Sequence, residues 1–354
     1  MAYRVAVWGT GNIGRSALRT IVSNPNLELA GVIVSAKEKI GKDAGELCNL
    51  PPTGVIATND ASALFDEGRI DAVAYCASGD FRPSEALDEL EGCLRAGANV
   101  VSTAAYPLYD PKSAPDAIRE RFEAACEAGS SSLFVSGVDP GFINDIVPLL
   151  LSGLCEEINE IRSREIFNYA TYYAPEAVRN LVGFGMPMGT TPPMVMPSIP
   201  TSIWGGMIRF LARTLDVELD SIEEVVERRP LEETVTVPIG VFEKGTQGAM
   251  RFEIQGIVGG EPKIIVEHVT RIIDDIAPDW PTAPQKGAHS VHIIGKPNIQ
   301  LVIEPTDTDG NSVGGGNATA AARIVNAIPA VCEAHVGLLD SIDIPAQPGR
   351  GLLR

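Results

Sequence analysis

The sequence has no run of about 18 apolar residues, the length a helix needs to cross a bilayer; its longest candidate, around Ile146 to Leu154, ends in polar residues. The opening stretch from Met1 to Gly14 lacks a basic segment, an apolar core and a cleavage site, so a cytoplasmic rather than a secreted protein is expected. Positive charge is in deficit, with 28 Lys and Arg against 46 Asp and Glu and a formal charge of −18. That balance argues against nucleic-acid and membrane-surface partners and in favour of small molecules. The six cysteines (Cys48, Cys76, Cys93, Cys126, Cys155, Cys332) form no Cys-x-x-Cys pair and no Cys/His zinc spacing, so they read as buried reduced thiols. His289, His292 and His335 have no ligand arrangement around them, and no metal is expected. Internal repeats and low-complexity tracts are also lacking.

The composition that remains, 45% hydrophobic and 21% charged over 354 residues, suits a globular chain of two domains. From Tyr3 to Val138 the short β-rich runs Arg4–Trp8, Leu29–Val34, Ala72–Cys76, Asn99–Thr103 and Leu133–Gly137 alternate with helix-length segments. Two of those, Pro83–Ala96 and Pro115–Ala128, are closed by Gly97 and Gly129, where a helix end favours glycine. The pattern predicts an α/β domain over residues 1–140, a doubly wound parallel sheet. Gly9-Thr10-Gly11-Asn12-Ile13-Gly14 follows its first strand and opens its first helix, the context of a Rossmann dinucleotide-binding turn. Gly9 permits the tight turn, Gly11 lets the backbone approach a pyrophosphate, and Gly14 allows close packing of helix on strand. Ser35-Ala36-Lys37 ends the second strand with no acid to hold an adenosine ribose. NADP is therefore favoured, with NAD still open, and Lys37 and Lys39 form either a phosphate-binding pair or a solvated turn. Ala77-Ser78-Gly79 and the stretch Ser102 to Tyr106, with Thr103, lie at C-terminal strand ends, the edge where such a sheet holds its ligand. Tyr106 is there either as a proton donor or as a packing tyrosine.

After Val138 the pattern changes to a turn at Asp139-Pro140-Gly141, a helix over Ile143–Leu154 and longer strands without regular helical crossovers. The strands are Ile158–Tyr169, Glu233–Ile239, Ala249–Val258, Lys263–Ile273, Ser290–Ile294 and Ile299–Glu304, and two of their connections are hairpin-length turns rich in Gly, Pro and Asn. An α+β domain on a mixed, mainly antiparallel sheet is expected over residues 141–312, for substrate and dimerisation. Met186–Pro200, dense in Pro and Met, reads as a packed loop or lid. A helix over Ala318–Val331 is expected to bring residues 313–332 back onto the first domain. In Ile158–Tyr169, period two puts Glu165, Phe167 and Tyr169 on one face and Arg162, Arg164 and Asn168 on the other. Glu165 is then either an acid or amine-binding group among aromatics or one half of a strand-to-strand salt bridge. His268 shares a strand face with Ile264, Val266 and Thr270 and reads as a core histidine or a substrate-facing one.

The glycine motif, the Gly137-Val138-Asp139-Pro140-Gly141-Phe142 turn and the late Asn317-Ala318-Thr319-Ala320-Ala321 helix together resemble the dihydrodipicolinate reductase-like oxidoreductases, which include 2,4-diaminopentanoate dehydrogenase and the native amine dehydrogenases. The resemblance implies a homodimer that transfers hydride from NAD(P)H to a C=N or C=O carbon of a small carbonyl or imine substrate, with ammonia as the co-substrate of an amine dehydrogenase. The residues read above make Tyr106, Glu165, Tyr169 and Asn144 the catalytic candidates, with the Asp139–Asn144 turn, Asp139 and Pro140 included, beside the cofactor. The His-His-x-His-Lys and Lys-x-Asp-x-Pro-Ser-Gly-Thr segments of the lysine-pathway reductases do not occur. Amine dehydrogenases carry a glutamate shortly after the strand-ending Ser-Thr, where this chain has Ala104, Ala105 and Tyr106. Either Glu165 supplies that carboxylate or Tyr106 marks a carbonyl or preformed-imine substrate. The alternative class is a non-catalytic nucleotide-sensing or regulatory Rossmann protein.

Overall fold

The computed structural model describes residues 2–66, 70–79, 82–344 and 347–353, in two compact units, Met1–Val138 with Asn317–Arg354 and Asp139–Gly316. The first unit is built on β1 (Tyr3–Trp8), β2 (Leu27–Ile33), β3 (Ala72–Tyr75), β4 (Asn99–Ser102), β5 (Ser132–Val135) and β14 (Gly337–Leu339). They lie in the order β14-β5-β4-β3-β1-β2, every neighbouring pair parallel. β3 and β5 are buried along their whole length, as strands covered by helices on both faces must be. This is the doubly wound sheet the alternation predicts. β14, too short to carry a sequence pattern, extends the sheet beyond β5.

The helix Ser312–Glu333 starts before the predicted Ala318, because the Asn311 side chain accepts the backbone N–H groups of Val313 and Gly314 and caps it. From Asn317 onward the helix belongs to the first unit. Ala321, Ile324, Val325, Ile328 and Val331 share a core with Val5, Val7, Leu18 and Val101.

The second unit is a mixed sheet of β6 (Glu157–Asn168), β7 (Ser221–Pro230), β10 (Gln247–Val258), β11 (Glu261–Arg271), β12 (Gly287–Lys296) and β13 (Ile299–Ile303), in the order β13-β12-β6-β11-β10-β7. Only β6 and β11 pair in parallel. The predicted strand Glu233–Ile239 is instead a small hairpin of β8 (Val235–Val237) and β9 (Gly240–Phe242); Pro238 lacks an N–H and Gly240 takes a φ of +127°. β7 escapes sequence reading because it is an edge strand with five charged residues in ten. Met186–Pro200 is loop up to Ser198 apart from one 3-10 turn, Pro193–Val195, and Arg228 of β7 ties it down through the carbonyls of Thr190 (2.6 Å) and Met188 (2.5 Å). Ile199 and Pro200 then open a helix, Ile199–Thr214, the position in which proline costs nothing. Its Trp204, Ile208 and Leu211 pack with Phe252, Ile254, Ile264 and Val266 of the sheet.

Alternate residues of the strands build an ionic layer on the other face. The Glu267 side chain is fully buried and accepts from Arg162, Arg164 and Arg251, each at 2.8 Å. Glu253 accepts from Arg162 at 2.7 Å and Arg251 at 2.5 Å. Burial alone would raise the Glu267 carboxyl, but the charges of Arg164 and Arg162 outweigh it and hold the group below its ordinary range. Neutralising one partner of such a cluster leaves the others buried without compensation. Glu267→Gln is expected to cost about 3–5 kcal/mol of stability, read from urea unfolding at neutral pH.

Candidate active site

In the first unit the glycine turn has the form a dinucleotide requires. A Cβ on Gly9, whose φ is +92°, would meet the Ala77 nitrogen at 2.7 Å, and one on Gly14 would strike the Gly9 carbonyl oxygen at 1.8 Å. Gly11 has no atom within 4 Å of that position, so its backbone stands open to a ligand. The helix Asn12–Ser23 that follows has no acid in its first turn, and Arg15 sits there hydrogen-bonded to Asn12 at 3.1 Å. Lys39 is half-buried and donates to the Thr10 carbonyl (3.0 Å) and hydroxyl (3.2 Å), while Ser35 and Lys37 are exposed. The two lysines therefore part company: Lys39 is docked on the phosphate loop, and Lys37 is solvated. Ile13 opens the same helix, and Thr103 follows β4 with Ser78 beyond β3, at the C-terminal strand ends. Tyr106 follows Ala105, a residue in the left-handed region with φ +65°, and stacks on Tyr109 with ring centroids 6.2 Å apart. These residues fit a dinucleotide: an open cradle of backbone amides, a helix N-terminus and two cations.

In the second unit the pairing register creates a row of three side chains. Glu165 of β6 lies opposite His268 of β11 and opposite His289 of β12, so the three project from adjacent strands on one face. His268 Nδ1 is 3.6 Å from Glu165 Oε1, and His289 Nδ1 is 3.6 Å from Glu165 Oε2. The arginines of β6 pair on the opposite face, and no Arg or Lys forms a salt bridge with Glu165 among the described residues. The salt-bridge alternative with arginine thus gives way to a carboxylate between two imidazoles.

Asp139 adds a second carboxylate. Its Oδ1 accepts the indole N–H of Trp204 at 2.7 Å and faces His268 Nε2 at 3.2 Å. Its Oδ2 takes the Asn144 side-chain amide at 3.4 Å, and Asn144 in turn accepts the Gly141 N–H at 3.3 Å, which braces the turn around Pro140. Burial acts to lower the His268 pKa, but the Asp139 charge and the contacts with Asp139 and Glu165 prevail and push it up to about 10. The same pairing holds Asp139 below its ordinary value despite burial. Phe252 stacks on the His268 ring at 4.7 Å and Trp204 packs at 4.4 Å, and aromatic faces of this kind favour the cation. Tyr169 follows β6 and packs on Tyr172 at 4.6 Å; burial and the negative charge of Glu165 push its phenol well above the ordinary value. It is therefore a hydrogen-bond donor.

Asp139, Glu165 and His289 each offer a donor atom within 4.8 Å of the others, a spacing in which a cation could be shared. Asp139 already takes N–H groups from Trp204 and Asn144, and a charged imidazole stands against both carboxylates. The cluster is accordingly a charge network in which the carboxylates of Asp139 and Glu165 face the His268 imidazolium, with His289 beside Glu165. Sequence reading reached Glu165, Tyr169, Asn144 and Asp139, but Trp204 and His289 lay beyond it. Nothing in a single chain reports which strand neighbours β6, and Trp204 sits in a helix whose start is disguised by proline.

A family model of the dihydrodipicolinate reductase N-terminus matches residues 3–105, and that of the 2,4-diaminopentanoate dehydrogenase C-terminal domain matches residues 142–350. The chain is 54% identical over 351 residues to an amine dehydrogenase of Streptomyces virginiae, covering 98% of this chain and 97% of that one. It is 26% identical over 354 residues to the 2,4-diaminopentanoate dehydrogenase of Acetoanaerobium sticklandii, covering 97% and 93% of the two chains. The solved amine dehydrogenase from Mycobacterium smegmatis has the same fold, with a TM-score of 0.80 at 18% identity over 100% of this chain and 99% of that one. The chain belongs to the dihydrodipicolinate reductase-like NAD(P)-dependent oxidoreductases, among the 2,4-diaminopentanoate and amine dehydrogenases.

Proposed function

We propose that this protein is an amine dehydrogenase that condenses a small ketone or aldehyde with ammonia and reduces the resulting imine, with NADPH preferred to NADH. The observation that carries the reading is the Asp139–His268–Glu165 network, in which two carboxylates face one imidazolium. Two carboxylates give the site an acidic character, which favours ammonium and the protonated imine over a neutral carbonyl. When bound, the nicotinamide supplies the hydride that reduces the imine carbon. Glu165 takes a proton from ammonium, releasing the nitrogen lone pair for attack, and returns it to the hydroxyl that departs as water. His268, held charged by Asp139, fixes one carboxylate oxygen of Glu165, and Trp204 with Asn144 holds Asp139. The Tyr169 phenol donates to the substrate oxygen. Gly9 to Gly14 with Arg15 and Lys39 bind the pyrophosphate, and Ser35 and Lys37 take the 2′-phosphate. Asp139 and Pro140 then serve the charge network rather than the cofactor. A cytoplasmic homodimer completes the reading.

NADPH oxidation in the presence of a ketone and aldehyde panel, with and without ammonium, tests the function. Turnover that requires ammonium is expected; turnover indifferent to ammonium would make the protein a carbonyl reductase, and cofactor binding without turnover a sensor. Glu165→Gln is expected to lose about 10²–10⁴-fold in kcat with cofactor affinity unchanged. Lys37→Ala is expected to raise the KM for NADPH about tenfold and leave NADH untouched, whereas Lys39→Ala weakens both, because the charge-assisted contacts involved are worth roughly 1.5–3 kcal/mol. His268 titrates at about 10 in the folded protein against 6.5 otherwise, so its contribution to stability is complete below pH 6.5 and is lost as pH climbs through about 10. The melting temperatures of wild type and His268→Gln should therefore converge as pH is raised across that window.

A further inference from the structure

Condensation of ammonium with a ketone to a protonated imine and water moves two protons from nitrogen to oxygen, and one carboxylate holds one proton at a time. His268 cannot take the second, since the charge of Asp139 keeps it protonated. His289 is differently placed. Its ring is 1% exposed, packs on Phe167 of β6 with centroids 5.1 Å apart, and sits across from Ile303 of β13. Neither ring nitrogen has a hydrogen-bond partner among the described residues. The charged groups facing it are Glu165, with Oε2 at 3.6 Å from Nδ1, and Asp139, whose nearest donor atom is within 4.8 Å. A buried imidazole with both nitrogens unpaired is costly and calls for a functional reason, and Glu165 is the titratable group within reach of Nδ1. A movement of the Glu165 carboxylate by about 0.5 Å would bring it to hydrogen-bonding distance.

We infer that His289 is the second proton holder of the site, loaded and unloaded through Glu165; the inference rests on the amine dehydrogenase reading. Ammonium gives its first proton to Glu165, which passes it to His289, and the freed lone pair forms the C–N bond as the carbonyl π pair moves to oxygen. Glu165, again ionised, takes the second proton from the nitrogen and delivers it to the alkoxide, giving a neutral carbinolamine. The proton stored on His289 returns through Glu165 to the hydroxyl. The C–O bond breaks with its electron pair on the departing water, and the nitrogen lone pair forms the C=N bond. No atom changes oxidation state, and both histidine and glutamate end as they began.

The experiment compares wild type with His289→Gln, which keeps a polar side chain but cannot carry the proton. Ammonium-dependent kcat is expected to fall by about 10²-fold or more, with KM for ammonium within twofold and cofactor binding intact. With condensation now limiting, the primary isotope effect from cofactor deuterated at the transferred position should collapse toward unity while the solvent deuterium effect grows. An unchanged kcat, or a primary isotope effect that grows because a displaced imine has slowed hydride transfer, would overturn the inference. Should the variant fail to fold, the wild-type rate across mixtures of H2O and D2O decides: a curved dependence, two protons in transit, supports it, and a straight line overturns it. Wild-type turnover that ignores ammonium would instead overturn the function itself, and is seen before any variant is made.

Discussion

The register between β6 and its two neighbours is the constraint on which the rest of the second unit depends. It places His268, Glu165 and His289 in one row, and period two obliges the residues between them to face the other way. A slip of one residue would present Arg164 where Glu165 stands and turn the acidic row into a basic one. The ionic layer opposes such a slip. Glu267 is gripped by arginines from β6 and from β10, and its three contacts are met only when all three strands are in phase. Buried ion clusters add little net stability, but they penalise wrong pairings heavily because a misplaced charge stays buried and unmatched. One face of the sheet thus specifies the alignment that the chemistry of the other face requires.

The same balance of local against global charge runs through both units. A formal charge of −18 repels a dinucleotide, and the phosphate loop answers with open backbone amides, a helix start free of acids, Arg15 and Lys39. In the second unit the overall negative field and the local carboxylates of Asp139 and Glu165 have the same sign. The local charge of the two sites thus opposes the overall field in the first unit and shares its sign in the second.

Legibility in the sequence follows the range of the interactions. The glycine turn is a local object, a strand, six residues and a helix, in which Gly9 and Gly14 are crowded by backbone and Gly11 stands open. Glu165 was marked by alternation within one strand. His289 was not, because its partner lies more than 120 residues away and only the order β12-β6-β11 joins them. β7 was lost to its charges, and the helix Ile199–Thr214 to the prolines before it, both cases in which tertiary packing overrides local preference. Lys37 and Lys39 looked equivalent two residues apart; the short turn Lys37–Lys39 separates them, one toward Thr10 and one toward water.

The position that distinguishes this chain from the ammonia-using pattern it resembles also has a physical reading. Ala104 is 4% exposed, its N–H is held by the Ser102 hydroxyl, and Ala105 after it is left-handed. A glutamate at Ala104 would take a buried position beside Gly79, where burial favours the neutral form of a carboxyl. A carboxylate on β6 is placed differently. The strand ladder on either side fixes its backbone, and a charged histidine stands at its oxygen. Placing the acid on a strand exchanges the reach of a loop for rigidity, and for the proton transfer proposed for Glu165 rigidity is the more useful property.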